Sequence, residues 1–243
     1  MKKVKLVIFG LVVAALAVLF PPSSLSGNDV SEPETVVLSD SNMVVLNSEV
    51  NGESVGAVTS KAKALVAKQM GGLKGKLGMG KKCNIKLFLN TPGGSVQSGL
   101  ELDEALTGMG CQVDTITLFA ASTGFQIAQN LGERLILKNG VLMSHRAKGG
   151  FEGEFGGQAP SQIESRFALW KSRLDELDAK TVSRTKGKQT MASYQKQYAS
   201  EMWLTGQQSV DQGYADRVVK VKCDSSLDGT TKHEEQVFIF RVT

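Results

Sequence analysis

The stretch NIKLFLNTPGGSVQSGLELDEALT, residues 84–107, decides the fold that the sequence predicts. Its first part, Asn84–Leu89, is mostly apolar and predicts a strand. The next six residues, Asn90–Ser95, contain a proline and two glycines and predict a tight turn. Residues 96–107 predict a helix, so the stretch has the order strand, turn, helix.

The same order recurs on both sides of this stretch. Further strands are predicted at residues 43–46, 113–118, 134–137 and 141–143, a turn at 119–124, and helices at 58–70 and 125–131. Alternating strands and helices are typical of an α/β fold with a mostly parallel sheet and right-handed crossovers.

A long helix is predicted downstream, from Ser161 to about Lys186, before Gly187. Ser161 and Glu164 fit a capping box at its start. Five apolar side chains form one stripe along it: Ile163, Phe167, Trp170, Leu174 and Leu177. This stripe packs either on its own domain or on another subunit.

The composition predicts one soluble core. The chain has 243 residues, 41% of them hydrophobic and 21% charged, with a mean hydropathy of −0.09. The formal charge is +4, and three positive charges are Lys2, Lys3 and Lys5 at the N-terminus. Because no basic stripe remains in the body, no nucleic-acid partner is expected.

The N-terminus predicts export from the cytoplasm. The apolar run of residues 6–20 would span about 22 Å as a helix, which is short of a hydrocarbon core of roughly 30 Å. A cleaved secretory signal is therefore favoured, with an uncleaved membrane anchor as the alternative. Both place the body outside the cytoplasm, as a periplasmic or secreted protein.

Four regions follow from these patterns: a signal or anchor at 1–27, a linker at 28–41, a domain at 42–222, and an extension at 223–243. The extension is expected to contain a short strand at 237–240.

The three cysteines are Cys83, Cys111 and Cys223, and none belongs to a C-x-x-C motif. No metal or redox motif is therefore indicated. Cys83 and Cys111 each precede a predicted parallel strand, and neighbouring strands lie about 4.8 Å apart. This spacing permits a disulfide in an oxidising compartment, with two unbonded thiols as the alternative.

Candidate catalytic residues stand at the ends of predicted strands. Ser122 lies at a strand-to-helix junction, where it is either an N-cap or a nucleophile whose hydroxyl is exposed near the helix N-terminus. His145, one of two histidines with His233, follows a strand, as site residues of α/β folds do. The Gly93-Gly94 turn could supply backbone amides to an oxyanion, or be a plain turn.

Taken together, these motifs resemble the Clp protease proteolytic subunit family. The resemblance covers roughly residues 43–220 and rests on the order of the motifs Leu89-Asn-Thr-Pro-Gly-Gly-Ser, Ala121-Ser-Thr-Gly-Phe, Met143-Ser-His-Arg and Met202-Trp-Leu-Thr with Gly213-Tyr-Ala-Asp216. It implies a Clp/crotonase-like fold of stacked ββα units, with a mostly parallel sheet and a projecting long handle helix at 161–186.

The resemblance also implies the roles of site residues in a serine endopeptidase. Ser122 matches the nucleophile and His145 the general base, while Gly94 and Thr123 match the oxyanion-hole amides. The third member of the triad, an aspartate in the family, falls on Glu201. The residues that match the strand edge for an extended peptide substrate are Ser95, Val96 and Gln97.

The implied partners are an extended or unfolded polypeptide substrate and further copies of the chain, in a ring or double ring that forms a chamber. No cofactor or metal is needed. An ATP-driven unfoldase is expected only if the protein is cytoplasmic, since ATP is absent outside.

Two alternatives stay open at this point. A Ser–Lys peptidase of the signal-peptide-peptidase or NfeD type would use Lys148 or Lys138 as its base instead of His145. A catalytically inactive Clp-like ring scaffold is the second alternative, because Glu201 departs from the aspartate of the family. Acyl-CoA chemistry is not indicated, because the sequence contains no motif that would bind the phosphates of coenzyme A.

Overall fold

A mostly parallel sheet forms the centre of the computed structural model, which describes residues 32–73, 83–147 and 160–227. The strands are β1 (Glu34–Leu38), β2 (Met43–Leu46), β3 (Asn84–Thr91), β4 (Gln112–Ala121), β5 (Arg134–Ser144), β6 (Met202–Thr205) and β7 (Arg217–Cys223). The helices are α1 (Gly52–Leu73), α2 (Val96–Thr107), α3 (Thr123–Asn130), α4 (Pro160–Arg184), α5 (Met191–Tyr198) and α6 (Gly206–Asp211), with a 3₁₀ turn at Ser225–Leu227. These elements belong to one compact unit that begins at Pro33.

The strands have the order β1-β7-β5-β4-β3-β2, and all of these neighbours are parallel. Among the described strands, β6 alone is antiparallel, and it pairs with the second half of β5. The α/β fold predicted from the alternation of elements is confirmed.

Both faces of the central strands are buried, which explains their continuous apolar sequence. On β3, Leu87 and Leu89 join the larger core cluster, which also contains side chains from α1, α2, α3 and α5. Phe88 points the other way, as alternation requires, and packs in a second cluster with Ile116 and Leu135.

The predicted linker at 28–41 is wrong in its second half, because β1 lies inside it. Residues 35–38 read Thr-Val-Val-Leu, and these residues pair in parallel with β7, from Thr35↔Lys220 to Leu38↔Cys223. The segment is polar overall, so its sequence alone did not predict a strand. The hydrogen bonds of β1 come from β7, which lies far along the chain.

The predicted turn at 119–124 is also wrong. Phe119–Ala121 continue β4, and the two short strands expected at 134–137 and 141–143 are one strand, β5. The register between β4 and β5 shifts between Thr117 and Phe119, so an irregularity replaces the expected break.

The long helix is confirmed as α4, two residues shorter than expected at its C-terminal end. Its apolar stripe is divided: Leu177 is buried, while Phe167 and Trp170 are 63% and 41% exposed, and the neighbouring Leu169 is 62% exposed. The C-terminal half therefore packs on its own domain, and the N-terminal half presents apolar side chains to solvent.

A buried ion pair holds the C-terminal end of α4 near β5 and β7. Arg134, which is 3% exposed, donates two hydrogen bonds to the carboxylate of Asp216 and one to the carbonyl of Arg184. Burial alone would raise the pKa of Asp216, but the hydrogen bonds and charge of Arg134 outweigh it and hold the pKa well below its ordinary value.

Cys83 and Cys111 form a disulfide, so the structure decides between the two alternatives left open for these cysteines. The bond lies at the beginnings of β3 and β4, where Asn84 pairs with Gln112. It joins the starts of two central strands.

Several predicted features lie outside the described residues: the signal or anchor at 1–27 with its apolar run at 6–20, the candidate base Lys148, and the strand at 237–240. Within residues 32–73, 83–147 and 160–227, no helix is long and apolar enough to cross a membrane.

Candidate active site

Ser122 occupies a strained position between β4 and α3. Its backbone has φ 55° and ψ −117°, a conformation that residues other than glycine rarely adopt. Its side chain does not cap α3. The sharp strand-to-helix turn resembles the elbow on which serine nucleophiles expose their hydroxyl.

The parallel register of β4 and β5 brings His145 to Ser122. Ala121 pairs with Met143, and the Ser122 amide donates to the Met143 carbonyl at 2.9 Å, so both strands end at the same level. The Nε2 atom of His145 lies 2.8 Å from the Oγ atom of Ser122. This hydrogen bond links a nucleophile to a base.

The second ring nitrogen of His145 determines the tautomer. Its Nδ1 atom lies 2.8 Å from the carbonyl oxygen of Arg146, which can only accept a hydrogen bond. Nδ1 therefore carries the proton, which leaves Nε2 as the acceptor and the Ser122 hydroxyl as the donor. A general base needs this tautomer.

The Gly93-Gly94 turn packs directly against the start of α3. A Cβ atom on Gly93 would lie 2.4 Å from the Ala121 carbonyl oxygen and 2.9 Å from the Thr123 amide nitrogen. The φ of Gly93 is also positive, at 91°. Glycine is therefore required here for the turn to approach Ser122.

The amides of Gly94 and Thr123 are available to a ligand. Among the hydrogen bonds of residues 32–73, 83–147 and 160–227, neither amide donates to a protein acceptor. The hydroxyl of Thr123 donates to the Gly94 carbonyl at 2.8 Å, which ties the two residues together. Two such amides beside a serine can hold an oxyanion.

The predicted strand edge at residues 95–97 needs a correction. Ser95 is the N-cap of α2 and its side chain accepts a hydrogen bond from the Ser98 amide, while Val96 and Gln97 form the first turn of that helix. A helical backbone offers no free strand edge, so these residues can contact a substrate only through side chains or the N-terminal amides.

Glu201 directly precedes β6 and is not hydrogen-bonded to His145. Ser144 pairs with Met202 at the end of the β5–β6 ladder, and His145 and Glu201 each lie one residue beyond this pair. The φ of Glu201 is 67°, and its carboxylate accepts a hydrogen bond from Trp203 Nε1 at 3.3 Å. Between His145 and Glu201, both of which are described, no hydrogen bond is present.

A buried tyrosine, Tyr194, is hydrogen-bonded to residues close in sequence to the catalytic pair, and the sequence motifs did not indicate it. The Tyr194 hydroxyl lies 3.1 Å from Ser144 Oγ and accepts from Gln126 Nε2 at 3.4 Å. Ser144 precedes His145, and Gln126 follows Ser122 by one helical turn. Burial raises the pKa of Tyr194 to about 12, so this group stays protonated at neutral pH.

Of the two lysines of the alternative mechanism, only Lys138 lies within the described residues, and no hydrogen bond joins it to Ser122. Lys138 is an exposed residue in the middle of β5, and Lys148 lies outside the described residues. The parts of the chain that are described also contain no group of three or more His, Cys, Asp or Glu side chains that could hold a metal.

Comparison with known proteins identifies a family. The family model named Clp protease matches residues 37–222. The ATP-dependent Clp protease proteolytic subunit of Streptococcus pyogenes serotype M5 (strain Manfredo) is 31% identical over 142 residues, which cover 56% of this chain and 69% of that protein. The protein of the same name from Streptococcus pneumoniae (strain Hungary19A-6) is 31% identical over 139 residues, covering 56% and 68%.

Proposed function

The chain belongs to the Clp protease family and is a serine-type endopeptidase, and from this premise we propose that Ser122 is its nucleophile and His145 its general base. The observation that carries the proposal is the distance of 2.8 Å between Ser122 Oγ and His145 Nε2. The tautomer imposed by the Arg146 carbonyl supports it, because Nε2 is then ready to accept the hydroxyl proton.

The reaction is peptide hydrolysis through an acyl-enzyme. Ser122 Oγ attacks the scissile carbonyl carbon while its proton moves to His145 Nε2, and the amides of Gly94 and Thr123 stabilise the oxyanion. The imidazolium then gives this proton to the leaving amine, and the carbon–nitrogen bond breaks. Water, deprotonated by His145, releases the acyl group and regenerates Ser122.

Glu201 is proposed as the carboxylate that stabilises the imidazolium. The strand pairing supports this role, because His145 and Glu201 each lie one residue beyond the last pair, Ser144 with Met202. In the present arrangement His145 Nδ1–H donates its hydrogen bond to the Arg146 carbonyl, so Glu201 acts after its carboxylate leaves Trp203.

Fluorophosphonate labelling tests the assignment of the site. Mass spectrometry should locate the label on Ser122, and Ser122→Ala should abolish it. His145→Ala should slow labelling and peptide cleavage by about 1,000-fold or more, since the serine then lacks its base. Lys138→Ala is the control and should keep full activity. Full activity of His145→Ala, with loss of activity in Lys148→Ala, would instead favour a Ser–Lys mechanism.

Assembly into a ring is the second part of the proposal. It is supported by the exposed apolar side chains Phe167, Leu169 and Trp170 on the N-terminal half of α4, because such a patch on a soluble protein commonly marks an interface. Light scattering should find an oligomer, and Phe167→Glu should dissociate it. A monomeric wild-type protein that cleaves peptides would contradict this part.

An oxidising location outside the cytoplasm is the third part. The disulfide between Cys83 and Cys111 supports it, since such bonds persist mainly in exported proteins. Thiol counting on the denatured, unreduced protein should find one thiol, whereas three would contradict the proposal. Cleavage of an unfolded polypeptide without ATP should follow, because no ATP-driven unfoldase is expected there.

A further inference from the structure

A chain of polar side chains connects four elements beside the catalytic pair. Thr181 of α4 donates a hydrogen bond to Gln126 Oε1 of α3 at 3.3 Å, and Gln126 Nε2 donates to the Tyr194 hydroxyl of α5 at 3.4 Å. The Tyr194 hydroxyl lies 3.1 Å from Ser144 Oγ, at the end of β5. Thr181, Tyr194 and Ser144 are at most 2% exposed. We call these four residues the Tyr194 network.

Two members of the Tyr194 network adjoin the catalytic residues. Ser144 directly precedes His145. The backbone amide of Gln126 donates to the Ser122 carbonyl at 3.3 Å, in the first turn of α3. The Tyr194 hydroxyl therefore joins the segment that carries the nucleophile to the segment that carries the base, through Gln126 on one side and Ser144 on the other.

Regular strand pairing stops just before His145. β5 ends at Ser144, and the ladder between β5 and β6 ends at the pair of Ser144 with Met202. The hydrogen bond between the Ser144 and Tyr194 side chains therefore fixes the chain at the residue where the sheet no longer holds it.

The donors determine the direction of these hydrogen bonds. Gln126 Nε2 can only donate, so the Tyr194 oxygen accepts from it. Burial raises the pKa of Tyr194 to about 12, so its hydroxyl keeps a proton at neutral pH. This proton is directed to Ser144 Oγ, because a buried hydroxyl without an acceptor is unfavourable.

Aromatic packing fixes the ring of Tyr194. Its centroid lies 4.7 Å from that of Tyr198, 5.9 Å from that of Tyr214 and 6.3 Å from that of Phe125. Aromatic pairs at such distances stabilise a protein beyond the area that they bury. The ring should therefore keep its place when the hydroxyl is removed, so that phenylalanine separates the hydrogen bond from the packing.

We propose that Tyr194 is a positioning residue, which holds Ser144 and Gln126 so that His145 Nε2 stays within reach of the Ser122 hydroxyl. Proton transfer needs a distance of about 2.6–3.2 Å between these atoms, and the present distance is 2.8 Å. A small displacement of either segment lowers the rate of the chemical step. Substrate affinity stays unchanged, because Tyr194 is fully buried and touches no substrate. This role rests on the proposed function.

Tyr194→Phe tests the role, because it removes the hydroxyl and keeps the ring. In peptide cleavage, kcat should fall about tenfold while KM changes by less than about twofold. Each kcat is divided by the number of sites that a fluorophosphonate labels at completion, which removes the contribution of unfolded protein. Tyr198→Phe is the matched control and should keep the wild-type kcat. Tyr198 lies on the same helix and is also buried, but its hydroxyl donates to Asp178 of α4.

A double-mutant cycle tests whether Tyr194 acts through Ser144. Ser144→Ala removes the acceptor of the same hydrogen bond and should also lower kcat about tenfold. Because both changes break one interaction, the double variant should lose about tenfold as well, and not the roughly hundredfold expected of independent changes.

The outcomes separate this role from the proposed function. Suppose that Ser122 is labelled in the wild-type protein. If Tyr194→Phe then keeps the wild-type kcat, if Tyr198→Phe loses as much activity, or if the losses multiply in the double variant, the role of Tyr194 is wrong and the proposed function stands. If Ser122 is not labelled and no peptide is cleaved, the proposed function fails and the role of Tyr194 fails with it.

Discussion

The carboxylate of Glu201 accepts a hydrogen bond from the indole of Trp203, two residues further along the chain, and none from His145. Trp203 is 52% exposed and its ring lies 6.4 Å from that of Phe119. The catalytic pair is thus assembled while its proposed carboxylate is held by another donor.

Changing this pair of residues tests the role of Glu201. Glu201→Gln should lower kcat/KM by about 10- to 100-fold, because the imidazolium loses a stabilising charge while the Arg146 carbonyl still holds the tautomer. Trp203→Phe keeps the aromatic ring and removes the indole donor, so it should maintain or raise kcat/KM. Peptide cleavage measured from pH 5 to 9 checks both variants. An unchanged pH profile and rate in Glu201→Gln would show that Arg146 alone orients His145.

Gly93→Ala should disable the site. The new methyl group would meet the Ala121 carbonyl at 2.4 Å and displace the Thr123 amide, so the oxyanion would lose a donor. We expect the rate of fluorophosphonate labelling to fall by about 100-fold or more. Gly56→Ala is the matched control: nothing lies within 4 Å of that position on α1, and alanine there should stabilise the protein by up to about 1 kcal/mol.

Asp216→Asn should destabilise the protein by roughly 3 kcal/mol in chemical unfolding, since it leaves the buried Arg134 without its counter-charge. Asp175→Asn breaks an exposed pair with Lys171 and should cost less than about 0.5 kcal/mol. Equal losses in the two variants would contradict the importance of burial.

The effect of Asp216→Asn should also depend on pH. Because the pKa of Asp216 is lowered on folding, its contribution is complete above the unfolded pKa of about 3.9 and is lost as the pH falls towards the folded value. The difference between wild type and variant in urea unfolding should therefore shrink below about pH 4 and stay constant from pH 5 to 7.

Removing the disulfide with Cys83→Ala and Cys111→Ala together should lower the free energy of unfolding by about 3–4 kcal/mol, as expected for a cross-link between residues 28 apart. Cys223→Ala is the control, since Cys223 takes no part in this bond. Thermal unfolding with and without reductant checks the result. A wild-type protein that is insensitive to reductant would contradict it.

Much of the fold could be predicted because local patterns carried it. The bounds of β2 and α2 agree with the apolar runs and the glycine-proline turn that delimit them. Predictions failed where distant pairing decides the structure. β1 depends on β7 for its hydrogen bonds, and β4 runs through Phe119–Ala121 because β5 continues beside it.

The sequence by itself determined the family, the α/β class and the candidates Ser122 and His145, because these depend on motifs in order along one chain. Only the tertiary structure decided that their side chains meet at 2.8 Å and that Cys83 bonds to Cys111. The physical reason is that strand register and helix packing set such distances, and both arise between segments far apart in the chain.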